Sequence, residues 1–473
     1  MGGPYSADRL SECRVVVDRL DRDGAALSSL LASRGARVVV ADPAPDAPAP
    51  AGVELVPDRL AATRRADLLM ADCWTGETAP HVIEARERGM PVGGIADVVL
   101  HEARAPVIGV TGTAGKTMTA RLIAHLLRAS GLRIEIPPIG RAENAWPSAD
   151  SLAALAEGDV PDAIVLELTS THLAYVSASP HVAVVTALWP DHVELHGTEG
   201  RYIAAKQRIL GRQRQGDIAI LPARELRIAA KPGVTTIRFS GDEPLDHGVG
   251  VADGVVVDRL GDGAEVLGDL ERLPIPPHLH GNVAAALAAV RGALGVPATV
   301  AEVAGFEAPR WRGEAIGACD GRIVLHNGMA ATPAKASAAL RLLPDRSAVL
   351  IVGGLGETDR GPVHASPSES RMLERACAEM ARTGRRVLVV GPAASRIAPM
   401  LTAAGAEPEV GPDLHWAVGA AVAELEGADA IAWVPAFPVD LEDRVRFADL
   451  VRSAAASVGR SWAESAGQAT AAN

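Results

Sequence analysis

Residues 107–117 read V-I-G-V-T-G-T-A-G-K-T. An apolar strand runs into glycines, then Lys-Thr, then a helix. Small residues let backbone N–H groups approach phosphate oxygens, and a helix N-terminus favours their negative charge. In that reading Gly112, Thr113, Ala114 and Gly115 form a cradle for phosphate, Lys116 reaches the terminal phosphates and the Thr117 hydroxyl ligates Mg²⁺. Val110 holds the first glycine position of G-x-x-x-x-G-K-[ST], so an ordinary glycine-rich turn with a solvated lysine is the alternative. Glu167 follows a second apolar run, 163–166, where a parallel sheet presents metal ligands to a nucleotide; such acids also cap helices. A third stretch, W-P-D-H-V-E-L-H-G-T-E-G-R-Y-I-A-A-K-Q-R-I-L at 189–210, sets Asp191, His192 and His196 after another apolar run, and Lys206 on a helix. Loop packing or zinc are alternatives for the histidines. No cysteine pair supports zinc, and Asp and His beside a phosphate loop suit Mg²⁺.

The chain has only four lysines, Lys116, Lys206, Lys231 and Lys335, within 46 Lys+Arg. Positive charge is carried almost wholly by Arg, so a surviving lysine marks a place where an amine is wanted. Two of the four fall in the segments just described.

The elements that must hold these residues alternate strand and helix. Apolar runs at 14–17, 37–41, 67–70 and 91–95 flank helical spacing at 24–34 and 80–88. Further strands are predicted at 107–110, 163–166 and 182–186, with a helix at 117–130 after the glycine turn. Short β elements are expected over 231–273, and an alanine-rich, buried helix after Gly281. The rhythm repeats with strands at 322–326, 348–352, 386–390 and 431–434 and helices at 333–343, 368–383 and 416–425. Alternation of this kind predicts parallel sheets covered by helices, an α/β fold. The Ala/Ser-rich tail, 453–473, is expected to fray.

Composition narrows the function. The 473 residues are 48% hydrophobic and 22% charged, a globular balance that suggests two or three domains. A net charge of −12 without a basic block argues against nucleic-acid binding. No apolar run is long enough to span a bilayer, and the first residues lack the pattern of a signal peptide. A cytoplasmic, monomeric enzyme acting on small molecules is the expectation. The four scattered cysteines, Cys13, Cys73, Cys319 and Cys377, read as buried thiols.

The three segments together resemble the Mur ligases, most closely the type that adds glutamate to UDP-N-acetylmuramoyl-L-alanine. Members carry T-G-T-N-G-K-T, then E-L-S-S-x-Q-L, then P-D-H-L-D-x-H-G-S-x-x-x-Y-x-x-A-K-x-x-I. Matching stretches here are 111–117, 167–173 and 190–209. The resemblance implies a Rossmann-like donor domain (1–104), a central ATPase domain (105–308) and a Rossmann-like acceptor domain (309–473). It implies a ligase that phosphorylates a carboxylate with ATP and two Mg²⁺ ions, then couples the acyl phosphate to an amino-acid amine. Lys116 and Thr117 would hold the phosphates and the first metal, with Glu167 as its ligand. His192 and Lys206, the latter carbamylated, would serve the second metal. Asn282, in H-L-H-G-N, matches an adenine contact, with a helix N-cap as the alternative. Arg312, in R-G-E, would meet the γ-phosphate. Asn327 and Thr332 fall in the acceptor segment.

Departures from the family cluster at the substrates. The glycine-rich loop that receives uridine diphosphate in relatives is here Asp18-Arg19-Leu20-Asp21-Arg22-Asp23-Gly24. Its three aspartates are expected to repel a pyrophosphate, with a clamp by Arg19 and Arg22 as the opposing reading. The S-P-G turn becomes Ala71-Asp72-Cys73-Trp74-Thr75-Gly76, and G-N-I-G becomes Pro137-Pro138-Ile139-Gly140. The acceptor motif N-D-S-K-A-T-N becomes Asn327-Gly328-Met329-Ala330-Ala331-Thr332-Pro333, without its charged pair; the later S-P-A-x-A-S-x-D run becomes 434–440, without its serines. An amide ligase with altered donor and acceptor is favoured over a divergent cell-wall ligase and over a non-catalytic ATP-fold protein.

Overall fold

The computed structural model describes residues 4–137, 144–156, 160–273, 275–341, 343–354 and 367–464. The chain divides into two compact units, 1–275 with 279–307, and 276–278 with 308–473. The first unit holds two sheets and the second holds one.

The first sheet contains β1 (Arg14–Val17), β2 (Arg37–Ala41), β3 (Glu54–Val56), β4 (Leu68–Met70) and β5 (Val92–Gly93). All pairings are parallel, in the order β3-β2-β1-β4-β5. The apolar run expected to reach 95 stops at Gly93, because Ile95 already opens the helix Ile95–Glu102. A Cβ at Gly93 would lie 2.3 Å from the Tyr5 hydroxyl, so the strand end has no room for a side chain there.

The second sheet is built from β6 (Val107–Thr111), β7 (Ile134–Glu135), β8 (Ala163–Glu167), β9 (Val182–Val185), β10 (Ile218–Pro222), β11 (Thr235–Phe239), β12 (Gly248–Ala252), β13 (Val255–Arg259) and β14 (Glu265–Asp269). Its order is β14-β13-β12-β11-β10-β9-β6-β8-β7, with antiparallel pairing only at the β12-β13-β14 edge. Every residue of β6, β8 and β9 is buried, the continuous apolar pattern of strands covered on both faces. The helix Lys116–Ala129 buries Met118, Leu122, Leu126 and their neighbours on one face. Against it packs the helix His280–Leu287, whose alanines permit close approach.

The second unit carries β15 (Glu314–Cys319), β16 (Arg322–His326), β17 (Ala348–Gly353), β18 (Gly384–Val390), β19 (Pro408–Gly411), β20 (Ala430–Trp433) and β21 (Trp462–Glu464). Five of these pair in parallel in the order β19-β18-β17-β20-β16, and β15 and β21 add antiparallel. The tail is therefore ordered further than its composition suggested: the helix Leu441–Ser457 is followed by β21 on the edge of β15. Gly317 makes this possible, since a Cβ there would lie 2.4 Å from the Trp462 ring. Arg460 pairs with Asp320 at 2.9 Å and fixes the return. Residues 465–473 lie outside the described residues.

Candidate active site

β6 lies between β8 and β9, with Val110 opposite Glu167 and Thr111 opposite Val185. Three strand ends thus converge at one edge of the sheet. They deliver the 112–117 turn, Glu167 and the segment 186–192 to one place, as the C-terminal edge of a parallel sheet does for its ligands.

The turn leaves no room for side chains at its two glycines. Gly112 has φ +148° and Gly115 φ +85°, conformations that side-chain-bearing residues avoid. A Cβ at Gly112 would lie 1.9 Å from Thr186 Oγ1, and one at Gly115 would lie 2.1 Å from Asn282 Nδ2. Thr113 N–H donates to Ala187 O at 2.7 Å, and the Thr186 hydroxyl donates to Ala114 O, so the turn is fastened to the end of β9. Among the described residues no side chain caps the helix Lys116–Ala129. Its first N–H groups are the unsatisfied donors that bind anions. Lys116 Nζ stands 3.8 Å from Glu167 Oε1.

Thr117 Oγ1 donates to Glu167 Oε2 at 2.7 Å and lies 3.2 Å from Asn144 Oδ1. Glu167 is 2% exposed. These three hard oxygen donors suit Mg²⁺, which takes few protein ligands and completes its shell with phosphate and water. No group of three or more His, Cys, Asp or Glu that could hold a metal ion converges among the described residues.

The remaining expected residues divide. Lys206 is 2% exposed and donates to Gly112 O at 2.8 Å, with its ammonium 4.8 Å from the centre of the Tyr202 ring. It therefore braces the phosphate turn. His192, at φ +50°, has Nδ1 3.1 Å from Glu194 Oε1 and Nε2 3.7 Å from Asp191 Oδ2. Asn282 is not an N-cap: it sits inside the helix His280–Leu287 and donates to Gly115 O at 3.2 Å and Thr119 Oγ1 at 3.0 Å. In the second unit, Arg312 Nη1 donates to Arg310 O at 3.0 Å. Asn327 is buried, with its backbone N–H on Trp433 O, and the Thr332 hydroxyl caps the helix Pro333–Leu340. His196, fully buried, has Nδ1 2.8 Å from Glu77 Oε2.

Residues not singled out from sequence complete the site. Tyr202 OH lies 2.8 Å from Thr113 Oγ1, and its spacing of four before Lys206 on one helix face was the available signal. Thr186 closes the turn from the end of β9. Asn144 had no signal in an Ala/Pro-rich stretch. Of Pro137-Pro138-Ile139-Gly140, residues 138–140 lie outside the described residues.

The first loop is built differently. Asp18 is 1% exposed; one carboxylate oxygen accepts Asp72 N–H at 2.7 Å and the other lies 3.0 Å from His81 Nε2. Asp21 caps the helix Arg22–Ser33, accepting from the N–H groups of Asp23 and Gly24 at 3.0 and 2.9 Å. Asp42, at the end of β2, accepts Leu20 N–H at 2.8 Å and Arg59 at 3.0 Å. Asp23 takes Ala149 N–H at 2.8 Å, and Arg22 pairs with Asp150. Of the aspartates expected to present bare charge to a pyrophosphate, Asp21 holds the loop's own N–H groups, while Asp18 and Asp23 accept the N–H groups of Asp72 and Ala149. Burial, then Asp18, pushes the Asp72 carboxyl up to about 6.

Residues 110–259 match the model of the Mur ligase middle domain. The UDP-N-acetylmuramoylalanine–D-glutamate ligase of Pelotomaculum thermopropionicum is 31% identical over 419 residues, covering 83% of this chain and 86% of that one. The chain belongs to the Mur ligase family. It is an ATP-dependent acid–amino-acid ligase that forms ADP and phosphate. This Mur ligase is also 31% identical over 324 residues to the UDP-N-acetylmuramoyl-L-alanine–L-glutamate ligase of Salinispora tropica, covering 67% of each chain. Among solved structures, the MurF ligase of Thermotoga maritima in complex with ADP aligns at a TM-score of 0.58 and 16% identity, over 96% of this Mur ligase and 97% of that chain. That likeness concerns the fold. No helix among the described residues of this Mur ligase is long and apolar enough to cross a membrane.

Proposed function

We propose that this Mur ligase activates a carboxylate other than a UDP-sugar peptide and couples it to an amine that is not held as glutamate is in its relatives. The observation that carries the donor half is the first loop: its backbone donors are engaged by Asp21 and Asp42. A diphosphate would have to displace carboxylates from charge-assisted bonds of about 1.5–3 kcal/mol each. The acceptor half rests on 327–333, where Thr332 is a helix cap and the charged pair of the family motif is absent. The domain limits expected at 104 and 308 fall between the sheets and belong to the same proposal.

In the chemistry proposed, the turn N–H groups and Lys116 hold the β- and γ-phosphates. A donor carboxylate oxygen attacks the γ-phosphorus and ADP departs. The amine nitrogen then attacks the acyl carbon, phosphate leaves, and the nitrogen gives up a proton. Thr117 and Glu167, with Asn144, would hold Mg²⁺, which supplies charge neutralisation for the phosphates and the carboxylate. Lys206 keeps the turn in shape through Gly112 O. A second Mg²⁺ on His192 and carbamylated Lys206 is the family-based expectation; it requires Lys206 to leave Gly112 O and take up CO₂, and ¹³C-bicarbonate labelling followed by NMR would register the carbamate.

Similarity to UDP-N-acetylmuramoylalanine ligases over most of both chains favours a second reading, a divergent peptidoglycan-precursor ligase. Panels of carboxylates and amines assayed by ADP release, with mass spectrometry of the product, separate the two. Lys116→Ala should lower ADP release about 10³-fold, the scale of losing a principal phosphate contact. An active Lys116→Ala enzyme would remove the phosphate-loop assignment.

A further inference from the structure

The segment that leaves the first sheet after β4 is fastened along its length to elements of the second sheet. Asp72 accepts Trp74 N–H at 2.9 Å and turns the chain. Thr171 donates to Cys73 O, and Tyr175 OH donates to Thr75 O at 2.8 Å. A Cβ at Gly76 would lie 2.7 Å from Leu195 O, so the two backbones meet there. Next along the chain, Glu77 is 6% exposed. Its Oε2 lies 2.8 Å from His196 Nδ1, and its Oε1 lies 2.7 Å from Arg86 Nη2. Burial pushes this carboxyl up; its bonds to His196 and Arg86 outweigh that and hold it below the usual carboxylate range. An ionised carboxylate only accepts, so His196 Nδ1 carries the hydrogen.

His196 is fully buried, and its Nε2 has no hydrogen-bond partner among the described residues. Buried polar atoms are rarely left so. The ring is therefore oriented by a single side-chain hydrogen bond, the one to Glu77. It meets the Tyr202 ring edge-on, with centroids 5.6 Å apart. Tyr202 stands four residues before Lys206 on the helix Glu199–Gln207. The Thr113 hydroxyl donates to Trp189 O at 2.8 Å, so it accepts from Tyr202 OH at 2.8 Å. Tyr202 and Lys206 thus hold neighbouring residues of the phosphate turn, Thr113 by its side chain and Gly112 by its carbonyl.

We infer that Glu77 and His196 are positioning residues for phosphoryl transfer: Glu77 fixes the His196 ring, the ring fixes Tyr202, and Tyr202 fixes Thr113 in the turn that receives ATP. The path begins on chain from the first sheet and ends at the phosphates, so the docking of segment 72–81 and the affinity for ATP are coupled. The inference rests on the phosphate-turn assignment above and holds whichever carboxylate the enzyme activates.

Calorimetry with AMP-PNP and Mg²⁺ on the full-length enzyme tests it, each variant being titrated below its thermal transition. Tyr202→Phe should weaken binding about fivefold, the scale of one hydrogen bond. Glu77→Ala should weaken it about tenfold. Glu77→Gln, whose amide oxygen can accept from His196 Nδ1, should restore most of that loss. The double variant Glu77→Ala/Tyr202→Phe should bind within about twofold of Glu77→Ala, because both substitutions cut one path. Should Glu77→Ala fail to fold, His196→Phe, which keeps a ring and deletes the hydrogen bond, takes its place in the cycle with the same expectations. Tyr175→Phe unties the same segment from the helix Ser170–Ala174 and keeps its ring. It should leave affinity within about twofold. Losses that multiply in the double variant, to about 50-fold, overturn the proposal. So does a Glu77→Ala enzyme with a lower Tm and unchanged affinity, as a merely structural pair would give, and so does an equal loss in Tyr175→Phe. Lys116→Ala is the reference. Affinity indifferent to it overturns the phosphate-turn assignment and this proposal with it, whereas affinity lost there and kept in Glu77→Ala overturns this proposal alone.

Discussion

Two strand–turn–helix junctions in this molecule share a plan and differ in who satisfies the turn. After β6, Gly112 and Gly115 take positive φ, the helix Lys116–Ala129 has no side-chain cap, and Lys116 Nζ stands 3.8 Å from Glu167 Oε1. After β1, Asp21 caps the helix Arg22–Ser33 and Asp42 takes the N–H of Leu20. At the junction after β6 no side chain caps the helix, although Thr113 N–H is taken by Ala187 O. The other uses its backbone donors to stabilise itself. A phosphate site is thus more than a strand, a turn and a helix: it is a helix start that the protein has refrained from capping. The contrast also changes the role of acidic residues in the first loop, from electrostatic repulsion to occupancy.

Matched glycine substitutions break the comparison most strongly. Gly115→Ala puts a Cβ 2.1 Å from Asn282 Nδ2 at φ +85°. ATP affinity, measured by calorimetry, should fall about 100-fold, or about 2.7 kcal/mol. Gly24→Ala meets Arg19 O at 2.1 Å and is equally crowded. It should cost about 2–3 kcal/mol of stability in urea unfolding while leaving ATP affinity within about twofold. Equal losses of ATP affinity in both variants would erase the distinction.

Asp72→Asn sharpens the account of the first loop through pH. The folded carboxyl titrates at about 6 rather than 3.8, pushed up by burial and then Asp18, so the folded chain holds a proton that the unfolded chain has released. Stability contributed at this position is present below pH 3.8 and is lost as pH rises to about 6. Relative to wild type, Asp72→Asn should gain about 1–2 kcal/mol across that window and stay flat above it. The amide oxygen can still accept Trp74 N–H. An unchanged pH slope of denaturant midpoints would contradict the assignment.

The smallest effect is expected at the cap. Asp21→Ala removes the acceptor for two helix N–H groups and should cost about 1 kcal/mol, a fall of a few degrees in Tm, with ADP release unchanged below the transition. A new affinity for pyrophosphate in this variant would show that the aspartate alone had been closing the site.

Much of this architecture was legible in sequence, for physical reasons. β6, β8 and β9 read as continuous apolar runs because a parallel sheet buries both faces. Lys116, Thr117 and Glu167 were legible because their positions at strand ends place them at one sheet edge. Lys206 stood out in the sequence as one of four lysines, yet its partner, Gly112 O, is 94 residues away and no local pattern announces it. Of the two readings of Asn282 only the helix cap fails: the residue sits inside the helix His280–Leu287, and its partners, Gly115 O and Thr119, lie far off in sequence. β21 was missed because its pairing depends on the absent side chain of Gly317 rather than on its own composition. Asp18 and Asp21 were visible as acids, but whether a carboxylate faces solvent or its own backbone is decided by chain geometry.

The most direct test of the central contrast is paired calorimetry on one sample of wild-type enzyme, titrated with an ATP analogue in Mg²⁺ and then with UDP-N-acetylmuramoyl-L-alanine. The account predicts micromolar binding of the nucleotide, lost in Lys116→Ala, and no measurable heat from the UDP-sugar peptide at about millimolar concentration, a gap of at least about 4 kcal/mol. Micromolar binding of the UDP-sugar peptide that weakens in Arg22→Ala would contradict it, and would make the first loop a phosphate site after all.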